Sequence, residues 1–425
     1  MKKCNEFLYK NVMKILIIYL FLQPLIDMFT AISLNVFNDS FIIGLIIRFG
    51  FLLYIIYYSL FLSKYKNKYI TMYIVITFIY LVLFSINVLC IKGMNSFFYE
   101  MKNTFKAFYF PILLVSCISI FKNNRKLLDF DIFKKLFYIY TLGVIIPNIL
   151  GIGFSSYAVT KTGNIGFFYT ANEIGAILSI LMIFFINDLY KKGKYIKLLL
   201  SMFVILYMFT FIGTKGPLIL FIILILYYLV KYFKSLYKEK KYGFLSGVSL
   251  LFIMFLSLFI LFIPRTNFYK NIVVHLDYLK VDSIDDIFTN EKIFDHFIFS
   301  RRLTFMKKTN KLYLKSSLSE KLLGIGYISN YGTDDISMKM VEMDFFDIFY
   351  RHGIVGFIIY ISSLIYFLYK FIHIRLKLDN EVYIISIVFA FLLAFITGHV
   401  LIAPAVSIYV LLIIDQFYSK VSDNL

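Results

Sequence analysis

Arg301 and Arg302, adjacent in Phe299-Ser-Arg-Arg-Leu-Thr-Phe305, are well suited to holding an anion. The segment reads as a helix start with Ser300 as its cap and both arginines in the first turn. Cations at that end oppose the helix dipole. The arrangement makes sense if an anion binds there and uses the free amides and the guanidinium groups together. Lys215, in the tight turn Gly213-Thr-Lys-Gly-Pro217, and Arg265, directly after Pro264, extend the same chemistry. A phosphorylated ligand would suit all four, because a guanidinium binds phosphate bidentately and keeps its charge. The plain alternatives are solvated arginines and a lysine snorkelling to lipid phosphate.

Carboxylates gather in Val341-Glu-Met-Asp-Phe-Phe-Asp-Ile-Phe-Tyr-Arg-His-Gly-Ile-Val-Gly356. Glu342 and Asp344 cannot share a helix face, whereas Asp344 and Asp347 can. Carboxylates beside cations are the materials of general-base chemistry on a phosphorylated substrate. The alternative is a helix start made acidic to suit its dipole. Asp27 and Arg48 are each expected inside an apolar span at similar depth, which predicts an ion pair between neighbouring helices. His399 follows Gly398 at a helix end and reads as a capping or packing residue. No spacing suggests a bound metal, and Cys4, Cys90 and Cys117 offer neither zinc spacing nor an outer-loop disulfide.

The elements that must position these groups are apolar helices. The chain is 60% hydrophobic, 20% aromatic and 16% charged, against about 45–50% apolar and 25% charged in ordinary soluble domains. Hydropathy predicts twelve spans, near 15–34, 41–62, 70–91, 105–121, 136–154, 170–187, 198–214, 216–232, 243–263, 353–371, 382–400 and 402–418. The expected fold is all-α: a polytopic integral membrane protein. Basic clusters follow every second span, which places both termini in the cytoplasm. The net charge of +19 is then a topology signal and excludes a nucleic-acid footprint. The expected division is residues 1–263 (nine spans), a large extracytoplasmic loop at 264–351 carrying the site, and 352–425 (three spans). No P-loop and no dinucleotide fingerprint is present, which argues against ATP-driven transport by this chain alone.

With these pieces in order, the chain resembles the O-antigen ligase/polymerase superfamily, in its Gram-positive-type polysaccharide-polymerase branch. Gly166-Phe-Phe-Tyr-Thr-Ala-Asn-Glu-Ile-Gly175 is similar to the Gly-Phe-Phe…Asn-Glu-Gly segment opening the sixth span, with Asn172 at the asparagine. Gly213-Thr-Lys-Gly216 resembles the family's Gly-Ser-Arg/Lys-Gly turn. Ser300-Arg-Arg302, followed by Leu322-Leu-Gly-Ile-Gly-Tyr327, resembles the Ser-x-Arg…Gly-x-Gly stretch of the big loop. Gly353-Ile-Val-Gly356 is similar to the Gly-x-x-Gly that starts the tenth span. One departure stands out. The ligases carry a His-Asn pair about eleven residues before that motif, where this chain has Glu342 and Met343. His352 comes too late to replace the histidine.

The resemblance implies a GT-C-like membrane glycosyltransferase acting outside the cytoplasmic membrane. It would transfer a glycan from undecaprenyl diphosphate to a sugar hydroxyl, inverting the anomeric centre without a metal ion or other cofactor. The Glu342 substitution favours a polymerase over a ligase. On this reading Arg301, Arg302, Lys215, Arg265 and Asn172 bind the diphosphate donor, Glu342 is the base, and Asp344 is the second carboxylate. Partners would be the lipid-linked donor and acceptor, membrane lipid, and a flippase and chain-length regulator of the same pathway, with no nucleic acid. Two other classes stay open: a lipid-linked oligosaccharide flippase, which would need charges lining a central cavity, and a non-catalytic assembly partner.

Overall fold

The computed structural model describes residues 2–37, 43–124, 128–156, 162–240, 260–281, 284–328, 339–372 and 380–422, with scattered positions between 243 and 257. The chain is an all-α polytopic membrane protein. Among the described residues nine helices are long and apolar enough to cross a bilayer: Val12–Val36, Ile43–Leu62, Lys68–Lys92, Met94–Asn123, Phe130–Ile149, Ala171–Lys191, Tyr195–Ile212, Lys215–Lys238 and Asp344–Tyr369. Glu381–Ile396 is apolar but shorter, and a last helix runs Pro404–Ser422. The span expected at 243–263 lies largely outside the described residues. A two-stranded hairpin pairs Phe154–Ser155 with Asn164–Gly166.

The chain forms two compact units. One comprises Met1–Asp27, Ser40–Asp129 and Thr289–Leu425; the other comprises Met28–Asp39 and Phe130–Phe288. The segment 264–351 is therefore divided between them. In the first unit Met94–Asn123 is the central helix, with 89% of its apolar window buried, against 28% for Lys68–Lys92. A helix apolar all round and buried all round is a core element. Lys68–Lys92 instead buries one stripe, Tyr73, Thr77, Tyr80, Phe84 and Val88, and turns Phe78, Ile79 and Ile86 outward. That outward apolar face suits lipid.

Two boundaries differ from expectation. The fourth span begins at Met94, not near 105. Its polar start is made tolerable by Glu100, fully buried, which pairs with Lys92 at 2.5 Å. The same carboxylate accepts the Tyr327 and Ile328 backbone N–H groups at 2.8 and 2.9 Å. The tenth span's helical run starts earlier, at Asp344, as two segments that meet at a kink at Gly353, φ +64°, where the span was expected to begin. Gly353 sits 2.6 Å from Gly324 N by the place its Cβ would occupy, so the Gly324–Gly326 loop closes directly onto the break. Ile325 N and Gly326 N donate to the carbonyls of Tyr350 and Arg351 there, both at 3.1 Å.

Candidate functional site

The first unit assembles the loop residues through buried carboxylates that grip backbone amides. The carboxylate of Asp295 accepts Leu303 N at 3.0 Å and Thr304 N at 2.8 Å, so it supplies the anion at the start of the Arg302–Lys315 helix. This corrects the expected cap. Ser300 and Arg301 lie in the left-handed region, φ +51° and +68°, and cap nothing with their side chains. The first free amides are thereby spent on Asp295. Anion binding here has to come from side chains.

Asp347, buried, accepts Val341 N at 2.9 Å and Glu342 N at 2.8 Å, and so fixes the strand of chain entering the Asp344–Ile372 helix. Asp344 is fully buried as well. Its two oxygens take the amides of His399, Val400 and Leu401 at 2.7, 3.0 and 2.6 Å. Val341 and Met343 anchor the same segment in an apolar cluster with Tyr313, Ile325 and Tyr350.

Glu342 stands between these clamps with its side chain 22% exposed and its backbone left-handed, φ +63°. Such a conformation costs a non-glycine residue free energy and persists only where its surroundings impose it. Arg302 holds Glu342 twice: Nε donates to the backbone carbonyl at 2.9 Å and Nη2 to Oε2 at 3.1 Å. Its Nη1 donates to Phe299 O at 3.3 Å. Lys339 donates to Oε1 at 2.5 Å. Burial pushes the Glu342 carboxyl up, but the Lys339 hydrogen bond and the Lys339 and Arg302 charges together bring it below the usual glutamate range. Burial likewise lowers Arg302, against the pull of Glu342, and a guanidinium lowered in this way stays charged at any physiological pH.

Arg301 is exposed, its guanidinium 5.8 Å from the Phe305 ring centre, and Lys339 approaches the same ring at 5.7 Å. Arg302 and Lys339 thus hold Glu342 directly, and the buried Asp344 and Asp347 also act on Arg302. His352, fully buried, is bracketed by Tyr327 Oη at 2.9 Å from Nε2 and Tyr80 Oη at 3.2 Å from Nδ1. Its place is structural.

Asn172, Lys215 and Arg265 belong to the second unit. There Gly175 packs on Pro217, which sets the start of the Ala171–Lys191 helix, with Asn172, against the turn that carries Lys215. Asn271 clips that turn, with Nδ2 donating to Thr162 O at 2.7 Å and Gly213 O at 3.4 Å. Lys215 is half-buried, whereas Arg265 is exposed over Phe262. Arg265 lines an apolar cavity of about 410 Å³ with Phe203, Leu206, Tyr207, Phe211 and Phe262.

Of the expected site residues, the structure joins Arg302 to Glu342, with Arg301 next in sequence. It brings in Lys339, which the sequence reading missed although it stands three residues before Glu342. The expected Asp27–Arg48 pair is formed at 2.5 Å, with Gln23 accepting from Arg48 Nε at 3.1 Å. Among the described residues no group of three His, Cys, Asp or Glu side chains could hold a metal ion.

No curated protein and no solved structure was found to match the chain. A family model described as O-antigen ligase like membrane protein matches residues 9–293 and 280–421, nearly the whole length, and the chain belongs to that family.

Proposed function

We propose that the protein polymerises lipid-linked oligosaccharide repeat units, with undecaprenyl diphosphate as the carrier, on the outer face of the cytoplasmic membrane. Membership of the family assigns it a glycosyl-transfer role at the membrane in polysaccharide assembly. The finer reading is carried by one observation: a partly exposed carboxylate, Glu342, held by Arg302 and Lys339 on strained backbone, with Arg301 next to Arg302 in sequence. Glu342 removes the proton from the acceptor hydroxyl as that oxygen bonds to the anomeric carbon. The bond from the anomeric carbon to the phosphate oxygen breaks on the opposite face, its electron pair leaving with the diphosphate, and the centre inverts. The exposed Arg301 and Lys339 meet the developing negative charge, and the buried Arg302 holds Glu342 in place. Preorganised cations of this kind stabilise a leaving group without a metal ion.

Asp344 enters this scheme as a positioning residue, because three backbone amides already occupy its oxygens. Within the second unit, Lys215, Asn172 and Arg265 are given a phosphate-binding role of their own on this reading. The apolar cavity beside Arg265 suits part of a polyprenyl chain next to its phosphate.

The test uses purified protein in detergent, an undecaprenyl-diphosphate-linked repeat unit and a chelator, with products resolved by gel. The expected result is a ladder of lengthening glycans, abolished in Glu342→Gln. No ladder, with the lipid-linked unit crossing the bilayer of proteoliposomes instead, overturns the reading in favour of a flippase.

A further inference from the structure

We propose that the Arg302–Lys315 helix is an interfacial element whose outward face seats on anionic lipid headgroups at the bilayer surface. Neither the charge pattern nor its test depends on glycosyl transfer.

The helix reads Arg-Leu-Thr-Phe-Met-Lys-Lys-Thr-Asn-Lys-Leu-Tyr-Leu-Lys and contains no acidic residue. Its inward face is set by Arg302, Thr309 and Tyr313, all buried. At about 100° per residue, the opposite face runs around the axis as Leu314, Lys307, Lys311, Lys315, Lys308 and Leu312, an arc of roughly 160°. All six are exposed. The outward face is thus a lysine stripe with a leucine on each flank.

Such a stripe is uncomfortable in isolation. Lys307, Lys311 and Lys315 follow one another at four-residue spacing, where like charges repel. Glu291, on the Glu291–Phe299 helix, pairs with Lys307. Lys308, Lys311 and Lys315 have no ion-pair partner among the described residues. The acids nearby are occupied. Asp295 holds Leu303 and Thr304, Glu320 holds the Ser317 cap, and Glu342 is held by Arg302 and Lys339. Negative charge from outside the chain would relieve the repulsion.

The leucines decide which kind of anion fits. Leu314 is 62% exposed, and in the next helix Leu318 and Leu322 share a face, Leu318 at 74%. With Leu312 they place four exposed leucines beside the lysines. Single exposed leucines are ordinary, but a cluster rimmed by charge marks an interaction surface. A soluble polyanion would satisfy the lysines and leave the leucines in water. A bilayer surface satisfies both, with ammonium groups at the phosphates and leucines at the acyl boundary. A lysine near an anionic surface favours it about fivefold, so the three unpaired lysines together favour it on the order of a hundredfold. From its inward face the same helix holds Glu342 through Arg302, so seating it fixes the height of that carboxylate against the lipid phosphates.

The chain contains no tryptophan, so Leu314→Trp gives the full-length protein one indole reporter on the contact face. The protein is reconstituted into vesicles of phosphatidylcholine, alone or mixed with phosphatidylglycerol, with acyl-brominated lipid as quencher. The expected result in mixed vesicles is emission to the blue of that in phosphatidylcholine alone, and stronger quenching. Lys311→Gln loses part of both effects, and the combined Lys308→Gln, Lys311→Gln and Lys315→Gln protein loses them entirely. That combined protein keeps its unfolding temperature in non-ionic detergent, because the change removes repulsion and no partner. About 1 M salt, where the screening length is about 3 Å, also weakens both effects. Water-like emission without quenching in either lipid overturns the proposal, as does equal quenching in both. A blue shift that appears only with soluble dextran sulfate also overturns it and assigns the stripe to a polyanionic polymer.

Discussion

Asp295 receives Thr304 through two donors at once, the backbone N–H at 2.8 Å and the hydroxyl at 2.6 Å, while its other oxygen takes Leu303 N at 3.0 Å. A carboxylate from the preceding helix thus completes a helix start that has two arginines and no side-chain cap of its own. It also offsets the clash between Arg302 and the helix dipole.

Asp295→Ala is therefore expected to leave two amides and a hydroxyl without their acceptor, close to Arg302. Hydrogen bonds to a charged group contribute about 1.5–3 kcal/mol each when one partner is removed, and water reaching the opened start of the helix recovers part of that. A net loss of about 2–3 kcal/mol is expected, read as a lower unfolding temperature of the detergent-solubilised protein. Thr304→Val, which removes only the hydroxyl, is expected to cost about 1 kcal/mol. Equal effects of the two substitutions would contradict the role given to Asp295.

Glu100 offers a sharper case, because it is fully buried and does two jobs. It neutralises Lys92 and accepts the Tyr327 and Ile328 amides, so it ties the Gly324–Gly326 loop to two membrane helices. Lys92 in turn donates to Ile325 O at 2.7 Å. Removing one partner of a buried pair costs about 3–5 kcal/mol, since the other is left charged and dry. Glu100→Ala is expected to reach that range, and Lys92→Met to cost less, because Glu100 keeps its two amide donors. The order of the two unfolding temperatures checks this.

How much of this was legible in the sequence depended on distance along the chain. The spans were visible because a bilayer demands long apolar runs, and Arg302 and Glu342 stood out because charge is scarce. Their mutual contact was not visible: 40 residues separate them. Asp295 lost out to Ser300 as the expected cap because Ser-x-x patterns are read locally, while a carboxylate seven residues upstream of Arg302 satisfies several donors at once. Gly353 looked like the start of a span because glycine punctuates helices. In the structure a helical segment from Asp344 comes before it and a second one follows it, the two meeting at a kink at Gly353. The polar start of the Met94–Asn123 helix falls outside the span that hydropathy predicts, since nothing nearby in sequence reveals that residues 327–328 satisfy Glu100.

Two glycines separate a structural demand from mere presence. Gly398 has φ +64° and backbone atoms of Glu342 in the place of any Cβ, whereas nothing lies within 4 Å of the Cβ position of Gly50. Gly398→Ala is expected to push on the Glu342 backbone, and to reduce transfer at least tenfold with a loss of about 1–3 kcal/mol in stability, the usual cost of such backbone strain. Gly50→Ala, inside the Ile43–Tyr57 helix, is expected to leave transfer unchanged and to stabilise by about 0.5–1 kcal/mol. Measuring both substitutions in the same preparation checks the contrast.

The pH dependence follows from Glu342. Burial alone would raise its carboxyl, but the Lys339 hydrogen bond and the charges of Lys339 and Arg302 outweigh burial and leave it below the usual glutamate range. A carboxyl that is more acidic in the folded state than in the unfolded chain stabilises the fold at pH values above its unfolded titration. That contribution fades as the pH falls through the folded value. The stability difference between wild type and Glu342→Gln is therefore expected to be constant near neutrality and to shrink in acid, from the ordinary glutamate range down through the lower folded value. Lys339→Met removes the leading cause of the lowering, so the decline is expected to be smaller and to end at higher pH. Unfolding temperatures of the three proteins across an acid series check the sign. A difference that grew as the pH fell would mean that Glu342 is held protonated, which is incompatible with its service as a base.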